Sequence, residues 1–194
     1  MHVTPPLPTA RLAALALLIA AALLPHGAPA RAATASHPTG HVMTPEVRLV
    51  DDYSNWYAGG AYAGDMAVLR AGLPRYITDS TVLHEAVSLP WGGTSVGYGG
   101  WVHLSEITGP IFGKIASDLE VSDPSYYQRG NIVIREVTVT VKGNQAAPQP
   151  FVMGLVEKFT IENGRIKQID EYFQDTAGFL DRLSALGALP VRRQ

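Results

Sequence analysis

Two adjacent acids, Asp170 and Glu171, stand in the segment Arg165-Ile-Lys-Gln-Ile-Asp-Glu-Tyr-Phe173. Ahead of it lie Phe151-Val-Met-Gly-Leu-Val-Glu-Lys-Phe159 and the dipeptide Asn163-Gly164, which suits the tight turn of a hairpin. Successive side chains of an extended strand point to opposite faces. One acid therefore shares the apolar side, either Glu171 with Ile169 and Phe173 or Asp170 with Ile166 and Tyr172. A carboxylate is costly to bury unless it has a partner or a function. On the plain reading one acid is solvated and the other pairs with Arg165, Lys167 or Arg135. On the functional reading the inward acid moves protons.

Other chemistries find less support. With no Cys, the chain has neither a thiolate nucleophile nor a disulfide. No G-x-S-x-G occurs to present a nucleophilic serine. Gly97-x-Gly99-Gly100 is not a dinucleotide fingerprint, because no strand ending in G-x-G-x-x-G leads into it. His84 and His103 lack a second His or Cys at ligand spacing, so no metal site is expected.

The elements that must position the acids follow from periodicity and caps. Thr44-Pro45-Glu46 has the form of a helix start, and Val47, Val50, Tyr53, Tyr57 and Ala61 recur at spacings of three and four, predicting a helix to about Gly59. A second short helix is expected over 65–73, ending before Pro74. Residues 81–89 have strand composition, 90–100 form a Gly-rich loop carrying Trp91, and 101–116 show helical spacing. Trp91 lines the mouth of a pocket or plugs it. Ile132–Val141, with β-branched residues at almost every position, is a strand leading into the hairpin at 151–173. Helices segregated beside antiparallel strands point to an α+β class.

The first forty-three residues read differently. Arg11 precedes an apolar run from Leu12 to Leu24, followed by Pro25, Gly27, Pro29 and Ala30-Arg31-Ala32, the layout of a signal peptide with an A-x-A cleavage site. A thirteen-residue run is too short for a membrane span, which needs about twenty residues. The expected organisation is a signal peptide over 1–32, a flexible leader over 33–43 and one domain over 44–190, with a secreted or periplasmic product. Without Arg11 and Arg31, thirteen basic residues face seventeen acidic ones, a formal charge of −4. That balance argues against nucleic acid or an anionic membrane as partner.

Tyr57-Ala-Gly-Gly-Ala-Tyr-Ala-Gly-Asp65, Ser88-Leu-Pro-Trp-Gly-Gly-Thr94 and Asn163-Gly-Arg-Ile166 running into Glu171-Tyr-Phe173 together resemble, in order and spacing, the nuclear-transport-factor-two-like (NTF2-like) proteins of the SnoaL-like group. That group includes polyketide cyclases, ketosteroid isomerases and limonene epoxide hydrolases, and the resemblance covers about Glu46 to Leu186. It implies a cone-shaped curved antiparallel sheet wrapped on about three helices, a cystatin-like roll with one apolar pocket. It places Glu171 where an epoxide-hydrolase-like sequence has the catalytic Asp of its Asp-Tyr-Phe motif. Tyr57 matches the helix-one Tyr that donates to the oxyanion in ketosteroid isomerases. The general base or water-positioning group falls on Thr81-Val-Leu-His-Glu85, where an epoxide-hydrolase-like alignment favours Glu85 and an isomerase-like one favours His84. Tyr53, Trp91, Trp101 and Phe173 would bind substrate. An epoxide-hydrolase-like Arg-x-Asp pair is not reproduced, because Arg135 and Glu136 are adjacent and face opposite ways.

Two carboxyls on different strands differ in desolvation and therefore in pKa, so that one can act as acid and the other as base. A neutral tyrosine hydroxyl can stabilise a developing enolate oxygen. Isomerisation, ring closure and epoxide opening all use these parts and need no cofactor. The competing reading is non-enzymatic: a protein that binds a small apolar molecule, or a homodimer joined through its sheet face.

Overall fold

The computed structural model describes residues 43–57, 66–115, 119–143, 145 and 148–189. The expected signal peptide, the leader up to residue 42, the Ala58 to Asp65 part of the first family marker and the predicted helix end at Gly59 lie outside the described residues.

Helix α1 (Pro45–Trp56) begins as its sequence dictates: Thr44 Oγ1 accepts from the Val47 amide at 3.2 Å, and Pro45 occupies the first turn, where no intrahelical amide is needed. Its buried stripe is Val47, Val50, Tyr53 and Ser54. Helix α2 (Met66–Gly72) passes into a 3-10 turn at Leu73–Arg75, where Pro74 ends the α-helical ladder. Strand β1 (Val82–Glu85) is shorter than the 81–89 expected, because the chain turns back at once, with the Leu89 amide bonded to the Ala86 carbonyl.

The stretch 90–100 is not the loop its glycines suggested. It holds strand β2 (Gly93–Val96), antiparallel to β1, and the first turn of helix α3 (Gly97–Phe112). Gly93 and Gly97, at φ 124° and 60°, bracket β2 and permit the sharp entry and exit. Two further short strands, β3 (Leu119–Val121) and β4 (Ser125–Arg129), had no clear signal, because both are largely half-exposed or exposed and carry little apolar alternation. Strand β5 (Ile132–Val141) has the predicted bounds. Strands β6 (Phe151–Glu162) and β7 (Arg165–Phe173) form the predicted hairpin, with Asn163 and Gly164 at φ 51° and 68° as a two-residue turn of the type favoured by sheet twist. A fourth helix, α4 (Thr176–Ala185), goes beyond the three expected; the Asp175 side chain caps it by accepting from the Gly178 amide at 2.8 Å.

The seven strands form one unclosed sheet in the order β2-β1-β7-β6-β5-β3, with β4 paired to the other end of the β5 edge. All pairings are antiparallel except β1 with β7. One face of the sheet carries the core: Val133, Val137, Val139 and Val141 from β5, Met153, Leu155 and Phe159 from β6, and Ile169 from β7 lie beneath the helices. Tyr53 and Tyr57 of α1 stack at 5.7 Å, and Tyr53 meets Phe159 edge-on at 6.1 Å, seating α1 on β6. At the other end Phe179 of α4 stacks against Phe112, Phe151 and Phe173.

One irregularity decides which side chains of β7 face this core. Ile161 pairs with Ile166 but Thr160 pairs with Gln168, so Lys167 is an extra residue, a bulge. Ile166 and Ile169, on opposite faces in a regular strand, are thereby both buried.

Candidate active site

Beyond the bulge Glu171 lies opposite Glu157 of β6, and Glu157 in turn opposite Arg135 of β5. On the other side, β1 runs parallel to β7 with Leu83 beside Ile169 and His84 beside Asp170. The next step of that register sets Glu85 beside Glu171. Four adjacent strands thus place Glu85, Glu171, Glu157 and Arg135 in one row on the inward face, at 6%, 4%, 0% and 2% exposure. Tyr126 of β4 extends the row beside Arg135 and donates to Asp51 of α1 at 2.7 Å.

The row is electrostatically uneven. Arg135 Nη1 donates to Glu157 Oε2 at 2.6 Å, so the one guanidinium is committed to one carboxylate. Neither oxygen of Glu171 has a hydrogen-bond partner of ordinary length, and Glu157 Oε1 and Arg135 Nε are also unpartnered. Burial pushes the Glu171 carboxyl well above its usual range, reinforced by the charges of Glu85 and Glu157 and by a hydrogen-bonding interaction with Glu85, and opposed by Arg135. Burial likewise raises Glu85, to about 8, while hydrogen bonding from Trp91 and the interaction with Glu171 work the other way. Glu157 is raised by burial against the pull of Arg135. At neutral pH the row therefore holds an Arg135–Glu157 ion pair beside two carboxyls that favour the protonated form.

Aromatic groups complete the surroundings. Trp101 Nε1 donates to the Tyr53 hydroxyl at 2.9 Å, which leaves the Tyr53 proton for another acceptor. Ser105 Oγ lies 2.8 Å from the Trp101 carbonyl and 3.1 Å from the Tyr57 hydroxyl; with the serine proton donated to the carbonyl, Tyr57 is the donor to Ser105. Burial raises both tyrosine pKa values and keeps the phenols neutral, and the Glu171 charge adds to each shift. Trp91, buried against Phe112 at 5.2 Å, donates from Nε1 to Glu85 Oε1 at 3.0 Å.

Of the residues singled out from sequence, Glu171, Glu85, Tyr57, Tyr53, Trp91 and Trp101 lie on the covered side of the sheet. His84 does not join them. It points to the opposite face, where Nδ1 meets Thr94 Oγ1 at 3.1 Å. Asp170 is on that outer face too: burial would raise its pKa, but Lys158 at 2.9 Å and Gln168 at 2.7 Å hold it below the usual carboxylate range. Phe173 packs into the phenylalanine stack with Phe179. Glu157, Arg135 and Ser105 were not singled out as site residues. For Glu157 a signal existed, because it alternates with Met153, Leu155 and Phe159 on one face of β6. The acid partner of Arg135 was sought on its own strand and stands across the ladder instead.

An open sheet with one face under helices recurs in known structures. The chain has the NTF2-like fold. It matches a protein from Acidithiobacillus ferrooxidans, provisionally named a polyketide cyclase, with a TM-score of 0.51 at 13% identity over 75% of this chain and 98% of that one. An NTF2-like protein of unknown function from Burkholderia pseudomallei matches with a TM-score of 0.50 at 15% identity, over 73% and 98% of the two chains. TerC, crystallised with polyporic acid, matches with a TM-score of 0.50 at 15% identity, over 73% and 99%. At these identities the likeness is one of fold. No protein-family model and no curated protein matches the chain significantly.

Proposed function

We propose that this chain is an exported enzyme that moves protons on a small, largely apolar molecule, as an isomerase or cyclase, with Glu85 and Glu171 as its acid–base pair. The observation that carries this reading is Glu171 itself: a buried carboxyl with no hydrogen-bond partner of ordinary length, set against a second carboxyl, Glu85, on the neighbouring strand. A structural acid would have a partner, as Asp170 has Lys158. Ionised Glu85 takes a proton from carbon beside a carbonyl, while protonated Glu171 and the neutral Tyr53 phenol supply hydrogen bonds to the oxygen on which charge collects. Both proton donor and acceptor are side chains of this chain, so the chemistry calls for no cofactor. Among the described residues the one guanidinium of the row is taken by Glu157, which disfavours a substrate bearing a carboxylate or phosphate at this point.

Activity is expected to follow a bell-shaped pH profile. The rising limb reports release of the Glu85 proton near pH 8, and the falling limb, at higher pH, loss of the Glu171 proton. Rates measured across the alkaline range on a panel of cyclic ketones and polyketide-like esters test this; a converted compound with a pH-independent rate would count against the pair. Tight binding with no conversion would instead support the ligand-binding reading.

The Arg135–Glu157 pair favours one second reading, epoxide opening, with Glu157 orienting water and Glu171 protonating the departing oxygen. Incorporation of ¹⁸O from labelled water distinguishes it from isomerisation, which takes up none. Export is tested separately by mass spectrometry of secreted protein, whose first residue is expected near Ala33; cell-associated protein retaining Met1 to Leu24 would overturn it.

A further inference from the structure

Nothing in burial alone says which carboxyl of the Glu85–Glu171 pair gives up its proton first. Both are covered, and they are neighbours in one register. Their donors differ. Glu85 Oε1 receives the Trp91 indole N–H at 3.0 Å, whereas neither Glu171 oxygen has a hydrogen-bond partner of ordinary length. Trp91 is itself held: it is buried, its ring meets Phe112 edge-on, and the Gly92 amide behind it is fixed to the Leu89 carbonyl at 3.0 Å. Gly92 has no room for a side chain, since a Cβ there would meet the Ala86 carbonyl oxygen at 1.8 Å. The segment from Ala86 to Gly92, which joins β1 to β2, is thus built so that the tryptophan hangs back over the last residue of the strand it has just left.

We infer that Trp91 is a positioning residue whose indole N–H fixes the division of labour in the pair, making Glu85 the base and Glu171 the acid. This rests on the proposed acid–base function and deepens it. A donor aimed at a carboxylate favours the ionised form of that group alone. The other groups facing Glu85 leave the asymmetry in place: the hydrogen-bonding interaction with Glu171 of β7 favours the same assignment, Tyr57 at the end of α1 stays neutral, and Arg135 is bound to Glu157. His84, next in sequence, lies on the other face of the sheet with Thr94.

The test needs no substrate. In protein labelled with ¹³C at the glutamate carboxyl, Glu85→Gln and Glu171→Gln assign the two signals, and their titration is followed by NMR in wild type and Trp91→Phe. Phe keeps the ring against Phe112 and removes the donor. The Glu85 midpoint is expected to rise by about one to two pH units, the worth of a hydrogen bond to a charged group. A role confined to packing predicts the opposite sign, because a loosened loop admits water and lowers the midpoint. An unchanged or lowered Glu85 midpoint overturns the inference. Should Trp91→Phe not fold, 3-benzothienylalanine at position 91, which replaces N–H by sulfur in a ring of the same shape, makes the same measurement. Failure of the acid–base reading is distinguishable: it would appear as full activity of Glu85→Gln, whatever the titration shows. If both hold, the rising limb of the pH–rate profile moves up with the Glu85 midpoint in Trp91→Phe.

Discussion

Glu171→Gln is expected to leave the fold intact and to slow turnover of the first convertible substrate by a factor of about 10² to 10⁴, the usual contribution of a general acid or base. The amide is nearly isosteric, and because the wild-type carboxyl favours its protonated form, the substitution changes little in the resting protein. Asp170→Asn, one residue away on the outer face, is expected to leave the rate within a few-fold. Stability supplies a second readout. Glu85 and Glu171 hold protons in the folded chain at pH values where unfolded glutamates, with pKa about 4.3, have released them. Their contribution is therefore complete below that value and is lost as pH rises through the folded pKa values, about 8 for Glu85 and well above the usual carboxylate range for Glu171. The wild-type melting temperature is expected to fall along this range. Glu171→Gln, which has no proton to lose, should flatten the alkaline part of the fall. A variant that turns over like wild type and melts with the same pH dependence would remove Glu171 from the mechanism.

Arg135→Met is expected to be the most damaging of the site substitutions for stability, by roughly 3–5 kcal/mol, because it strands the Glu157 carboxylate in the core. Urea unfolding measures this directly, and the loss should be greater at pH 8 than at pH 5, where Glu157 can take up a proton. The double variant Arg135→Met with Glu157→Leu should recover most of the loss, since a buried ion pair replaced by apolar groups of similar size is often neutral. A single variant within about 1 kcal/mol of wild type would mean that the pair is hydrated rather than buried.

Much of the frame was legible in the sequence because its signals are local. Thr44 and Pro45 announce α1, the β-branched run announces β5, and Asn163-Gly164 announces the last hairpin. The hairpin also limited the choice to one inward acid of two. What could not be read was every relation that depends on strands distant in the chain. Whether Glu85 or His84 faces inward is settled by the parallel pairing of β1 with β7, more than eighty residues away. Arg135 finds Glu157 across a ladder, a partner that no same-strand pattern contains. The glycines of 90–100 misled for a physical reason: the freedom that makes loops also makes the tight corners of a hairpin, and Gly93 and Gly97 serve the latter. Glu157 had a readable alternation with Met153, Leu155 and Phe159, but a lone acid on an apolar strand face carries no local mark of its partner.

The extra residue at Lys167 has a consequence for how this site came to hold a glutamate. From the turn onward, strict alternation would carry Ile166, Gln168, Asp170 and Tyr172 inward and send Glu171 out. The bulge inverts the phase: if the strand ran through Lys167 in regular alternation instead, the entire inward set of β7 beyond that point would be exchanged. The acid presented to the interior would become an aspartate one methylene shorter, and a tyrosine hydroxyl would arrive in place of Phe173. Reach and polarity of the site are thus governed by one irregularity of the backbone as much as by the letters in the strand.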